Sequence, residues 1–243
     1  MNQPVAADGP EIRTVDSSLM FKVFCAFALL AALSAAISAG GKWFGRSIAM
    51  AGHTDNKTLH EIVIGNDVIA VPANAIRFER ARRDGIASRL DLYLRWPEMS
   101  GYSTAARDDF NHAGGSRRII FLSFEECMMS RDMSGRFAPI YSSLIVKPGI
   151  PGPNGVMLYG FTEKSGYLNE VLAVAERPGD HPFVARCLSG SSAEESLAPC
   201  ERDVQVGENL SLSYRFPKEL LADWRALDAA VLAETSRILK TAR

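Results

Sequence analysis

The feature that most constrains this chain is the stretch over 23–41, V-F-C-A-F-A-L-L-A-A-L-S-A-A-I-S-A-G-G. It carries no charge and is interrupted only by Ser34 and Ser38. A helix needs about 20 apolar residues to cross the hydrocarbon of a bilayer. It can then satisfy its backbone N–H and C=O groups internally, as lipid requires. The pattern predicts a retained transmembrane anchor over 19–41, a short cytoplasmic tail over 1–18 and a juxtamembrane linker over 42–58. A cleaved signal peptide competes, because 34–36 and 37–39 supply small residues for cleavage. It fits less well, since Asp8, Glu11 and Asp16 stand where a signal peptide carries positive charge. Arg13 and Lys22 balance Lys42 and Arg46, so charge does not orient the span.

Ala28, Ala32, Ala36 and Gly40 recur about once per helical turn and form a stripe of small residues. A second helix approaches closely along such a stripe, which makes it the candidate face for a homodimer.

The chain has 243 residues and is 47% hydrophobic, so the part beyond the anchor has enough residues for one well-buried core. A net charge of −1 argues against a nucleic-acid binder, which is usually strongly basic. Of the four cysteines, Cys25 lies in the apolar run and Cys127 stands alone. Cys187 and Cys200 flank a small polar loop, L-S-G-S-S-A-E-E-S-L-A-P, and are expected to form a disulfide. Closing that loop would contribute roughly 3 kcal/mol, and such a bridge belongs to an oxidising compartment.

The expected fold class is α+β: the N-terminal helix, then a mainly antiparallel β domain over 59–243 that closes on an amphipathic helix. Strand patterns over 60–64 and 67–71 flank Gly65-Asn66, a hairpin signal. Over 89–96, Leu90, Leu92, Leu94 and Trp96 alternate with Asp91, Tyr93 and Arg95, which puts an apolar face inward and a polar face outward. Further strands are predicted over 118–124, 141–146, 156–161, 171–176, 183–188 and 209–216. The stretch 100–116 reads as a long exposed connection, and 147–155 and 177–182 are rich in proline and glycine. After Pro217, Leu220, Leu221, Trp224, Leu227, Val231 and Ile238 share one helical face. Arg225, Asp228, Glu234, Arg237 and Lys240 are expected largely off it.

No phosphate-binding loop, dinucleotide fingerprint, zinc-protease motif or nucleophile elbow is present in the sequence. His53, His60, His112 and His181 are too widely spaced to suggest a metal site. No cofactor is therefore expected. Asp108, Asp109 and His112, in R-D-D-F-N-H, form the best acid–base grouping, against the plainer alternative of a solvated, capped loop. Ser189, Ser191 and Ser192 would need a base from elsewhere to act as nucleophiles. Arg80, Arg82 and Arg83 precede Asp84-Gly85, a turn. They are candidate contacts for lipid headgroups or an acidic partner, because guanidinium binds phosphate and carboxylate bidentately.

These features imply a single-pass protein of a bacterial inner membrane with its domain in the periplasm. The leading function is a non-enzymatic binding or accessory domain that meets an envelope protein. A periplasmic hydrolase with a site assembled from distant residues is the alternative, and a cytoplasmic-facing tethered domain a third reading.

Overall fold

A computed structural model describes residues 17–50 and 52–241. All but the last two residues of the expected tail lie outside these. The chain divides into two compact units, 1–51 and 52–243.

The first unit is helix α1, Ser17–Met50. Within it Met20–Ser38, 19 residues, is long and apolar enough to cross a membrane. At 1.5 Å per residue this is about 28 Å, close to the hydrocarbon thickness. Its described side chains are all exposed. A helix packed on a soluble core would bury one face. The helix continues through 42–50, where a linker was expected; no proline interrupts that stretch.

The second unit holds two sheets. The smaller contains β1 (Leu59–Ile64), β2 (Asp67–Pro72) and β3 (Gly85–Ile86), ordered β2-β1-β3. The β1–β2 hairpin turns at Gly65, whose φ of 58° suits glycine. The larger sheet contains β4 (Arg89–Arg95), β5 (Ile119–Glu126), β6 (Ile150–Pro151), β7 (Val156–Gly160), β8 (Glu170–Ala175), β9 (Phe183–Leu188), β10 (Cys200–Val206) and β11 (Leu210–Phe216). Its order is β4-β5-β11-β10-β9-β8-β7-β6, and every neighbouring pair is antiparallel. Three short α segments, α2 (Arg107–Phe110), α3 (Ser142–Leu144) and α4 (Ser191–Glu195), join the longer closing helix α5 (Trp224–Ile238).

Alternation decides which face each strand buries. Leu90, Leu92 and Leu94 of β4, Ile120, Leu122 and Phe124 of β5, and Leu210, Leu212, Tyr214 and Phe216 of β11 point into one core. The small sheet contributes Ile62, Ile64, Ile69 and Val71, and the closing helix Trp224, Leu227, Val231 and Ile238. Each fully buried large side chain contributes roughly 1.5–3 kcal/mol. Helix α5 follows a 3-10 stretch, Lys218–Asp223, and its end is stitched to β2 where Lys240 N donates to Val68 O at 2.8 Å. Its start is held by the proline-rich loop: Trp224 Nε1 donates to Asn154 O and Asn154 Nδ2 to Ala222 O.

Five expectations need correcting. Residues 141–146 are not a strand: a π-helical turn, Phe137–Tyr141, runs into α3. Residues 100–116 are exposed only in part: Tyr102, Ala106 and Phe110 bury against Tyr93 and Ile119, while Thr104, Ala105, Asp108 and 113–115 face solvent. Strand β10 lies where no strand was expected, and α4 forms within the loop read as flexible. Asp228 is buried on the packed face of α5, only 3% exposed, rather than off it.

Candidate binding trough on the outer sheet face

Asp228 shows what the inner face does with charge. Arg202 Nε donates to Asp228 Oδ1 at 3.0 Å, Tyr214 Oη to the same oxygen at 2.5 Å, and Arg177 to Oδ2. Arg202 also donates to Ser134 Oγ at 2.7 Å and Val184 O at 3.1 Å. Burial alone would push the Asp228 carboxyl up; the two guanidiniums and the Tyr214 hydroxyl outweigh it, so its pKa lies below the ordinary value. Burial and the neighbouring carboxylate hold the Tyr214 hydroxyl well above its ordinary pKa. Each named polar group is matched, so this cluster is an internal clamp between α5 and the sheet.

The outer face of the same sheet differs along its length. Toward β4 it is covered by Tyr102, Ala106 and Phe110. Toward β8 and β9 it is covered by Met133, Tyr141 and Ile145, which pack on Leu172, Val174 and Val184. Between these covers the floor of β4, β5, β11 and β10 stays open as a recess of about 580 Å³, walled on one side by 195–198. Register sets its rows. Arg89, Glu125 and Ser211 stand side by side, then Asp91, Ser123 and Ser213, then Phe121 and Arg215.

Most carboxylates in the trough lie beside an arginine that they share with a second carboxylate. Arg89 pairs with Asp91 at 2.8 Å and Glu125 at 2.6 Å, and Ser123 Oγ donates to Asp91 at 2.8 Å. Glu201 lies 3.6 Å from Arg186. Two arginines of the lining make no ion pair among the described residues. The Arg77 guanidinium lies 4.8 Å from the centre of the Phe121 ring and, among the described residues, has no ion pair or hydrogen bond of its own. Arg215 stands between Phe121 of β5 and Glu201 of β10 in the register and donates to neutral oxygens, Ala198 O at 3.2 Å and Ser196 Oγ at 3.5 Å. The Ser211 and Ser213 hydroxyls have no protein partner among the described residues.

The residues singled out in the sequence fall elsewhere. Cys187 and Cys200 form a disulfide between facing positions of β9 and β10, buried in the main core. Of the arginine turn, Arg82 faces inward and donates to Gly52 O and to Ile76 O, while Arg80 and Arg83 line a separate, open surface with Ile86. The structure does not assemble Asp108, Asp109 and His112 into an acid–base site. Asp109 accepts from Ser116 Oγ and from Arg95 Nε, both at 2.6 Å, and these hold its carboxyl below the ordinary range. Asp108 points to solvent beside Arg107, and His112 Nδ1 lies 3.2 Å from Ser116 O. Ala28, Ala32 and Ala36 are exposed on α1; the surroundings of Gly40 lie outside the described residues. No grouping of His, Cys, Asp and Glu suited to a metal occurs among the described residues. The trough could have been glimpsed from Ser211, Ser213 and Arg215 alternating with apolar residues; the pairing of their neighbours could not.

The expected linker is partly docked. His53 stacks on Tyr102 with ring centres 4.7 Å apart, and its Nδ1 lies 3.1 Å from Tyr93 Oη. Burial depresses the His53 pKa, aided by the nearby Arg82 charge and partly opposed by a hydrogen bond to Asn111. Asp55 accepts from Thr104 N at 2.7 Å.

No family model matches the chain. No curated protein matches it in sequence. Two solved structures resemble it in outline. Smlt3025, an immunity protein of the Stenotrophomonas maltophilia type IV secretion system, shares 15% identity over 79% of this chain and 97% of its own, with a TM-score of 0.49. The Neisseria meningitidis iron-regulated outer membrane lipoprotein FrpD shares 9% identity over 76% of this chain and 96% of its own, with a TM-score of 0.40. Likeness at this level transfers no role, and the chain's function has to be argued from its own α+β architecture, its apolar helix and its open sheet face.

Proposed function

We propose that this is a membrane-tethered binding domain. Helix α1 holds it at a bilayer, and the trough receives a protein partner in the compartment the domain occupies. The observation that carries the reading is the uncovered middle of the outer sheet face, polar and flanked by covered ends, with the Ser211 and Ser213 hydroxyls left without a partner among the described residues. Binding is favoured over catalysis because three of the trough's four carboxylates, Asp91, Glu125 and Glu201, are tied to Arg89 and Arg186. The domain is assigned to the periplasm of a bacterial envelope, with the amino terminus in the cytoplasm. The buried disulfide supports an oxidising compartment.

A photocrosslinking residue placed in cells at Ser211 or Ser213 is expected to give one discrete protein adduct. The same residue at Ser236, exposed on α5, should give none. Equal labelling from all three positions, or none from the floor, would overturn the trough as the binding face. A C-terminal reporter active only outside the cytoplasm tests location. An inactive reporter together with freely alkylated Cys187 and Cys200 would overturn the periplasmic placement alone.

A further inference from the structure

We infer that the turn carrying Arg80 and Arg83, with Phe78 and Ile86 beside it, docks on a phospholipid surface; this depends on the reading of α1 as a retained anchor and not on the trough. Contour length brings the domain to the bilayer. The apolar span ends at Ser38, α1 runs on to Met50, and the domain begins at Gly52. Twelve residues of helix and two more steps of chain reach about 25 Å at most. A domain of this length has a radius of gyration of about 16 Å, so the leash is shorter than the domain is wide. The surface around Gly52 is therefore the one kept beside the headgroups. The Arg82 guanidinium donates to Gly52 O, which puts the arginine turn at that entry point.

Phe78, Arg80, Arg83 and Ile86 border one recess of about 520 Å³. Ile86 is 89% exposed and Phe78 39%, apolar surface that neighbouring side chains leave to water. Net charge is not what draws this surface to a membrane. Glu79 and Asp84 offset Arg80 and Arg83 in the same turn, and Asp84 accepts from Glu61 N at 3.0 Å. The zone between headgroups and acyl chains suits such a mixture. It offers phosphate oxygens to guanidiniums and an apolar layer to Ile86 and Phe78. Neither Arg80 nor Arg83 makes an ion pair among the described residues, and Arg80 lies 5.6 Å from the centre of the Phe78 ring. Strand β3 is an edge of its sheet, and unpaired main-chain groups do not enter hydrocarbon, so the contact stops at headgroup depth. An acidic protein surface would serve the two arginines but leave Ile86 in a polar setting.

The test uses the full chain in nanodiscs of zwitterionic phosphatidylcholine. A photocrosslinking residue replaces Ser88, exposed in the same recess, or Ser236, exposed on α5, and phospholipid adducts are counted by mass. Adducts at Ser88 are expected about tenfold above those at Ser236. Ile86→Glu should reduce them about fivefold, and Arg80→Gln with Arg83→Gln about twofold. High salt should change them less than about twofold, because the turn is balanced. Labelling that Ile86→Glu leaves unchanged is what a tether alone gives, and would overturn the docking. Equal labelling at the two positions, or labelling lost in high salt, would do the same. Labelling unmoved by the double arginine change would overturn the part given to Arg80 and Arg83. A chain that alkaline carbonate strips from membranes overturns the anchor beneath the inference; a retained chain without adducts at Ser88 overturns the docking alone.

Discussion

Strand β11 carries the same chemistry on its two faces, put to opposite uses. Inward, Tyr214 joins Arg202, Arg177 and Asp228 in a cluster where each donor meets an acceptor. Outward, the next residue, Arg215, reaches only a carbonyl and a hydroxyl, and Arg77 across the floor meets an aromatic ring. A buried charge without a partner is costly, so inside the fold the arginines must be matched. At the open face water can serve an arginine that lacks an ion pair. The difference separates residues that hold the domain together from those whose loss the fold can tolerate.

The largest test of this contrast is Asp228→Ala. It strands Arg202 in the core and should lower stability by about 3–5 kcal/mol, read from the urea midpoint of the full chain in detergent. A loss under about 1 kcal/mol would mean the inner cluster is not the clamp described. Replacing both Cys187 and Cys200 with serine should cost roughly 3 kcal/mol, and reductant should shift the unmodified chain but not the double variant. Tyr214→Phe removes one hydrogen bond to a charged group and should cost about 1.5–3 kcal/mol. On the outer face, Arg77→Gln should leave stability within about 0.5 kcal/mol; a larger loss would make that arginine structural and erase the contrast.

Acid sharpens the comparison further. The folded-state pKa of Asp228 is depressed below 3.8, so its contribution is complete above that value and lost as pH falls through the lower, folded one. The His53 pKa is depressed as well, so docking of its segment weakens earlier, as pH drops below 6.5 and the released form takes up a proton. Histidine resonances should report that release before global unfolding, and His53→Phe should remove the early step.

Much of the architecture was legible in the residues. The β1–β2 hairpin, β4, β11 and the closing helix all follow local periodicity and turn chemistry, which need no knowledge of distant partners. What was missed depends on such partners. Strand β10 reads C-E-R-D-V-Q-V, and its inward Arg202 breaks the apolar alternation that marks a strand. Tyr102, Ala106 and Phe110 have helical spacing, but a polar, glycine-bearing context hid it. Asp228 sits one turn from Trp224 and just before Val231 on the same stripe, so strict periodicity places it inward. Its charge argued otherwise until Arg202 supplied the reason. The trough was least legible, because it emerges only once the strand order and the covers at both ends of the sheet are known.

The docking of 52–55 has a mechanical consequence. Force travelling along the chain into the domain does not reach β1 first. It loads the Arg82 contact to Gly52, the His53–Tyr102 stack and the Asp55–Thr104 bond in sequence, all of them non-covalent and near the surface. These would give way as a short fuse, lengthening the leash by a few residues while the two sheets and the disulfide-linked core stay whole.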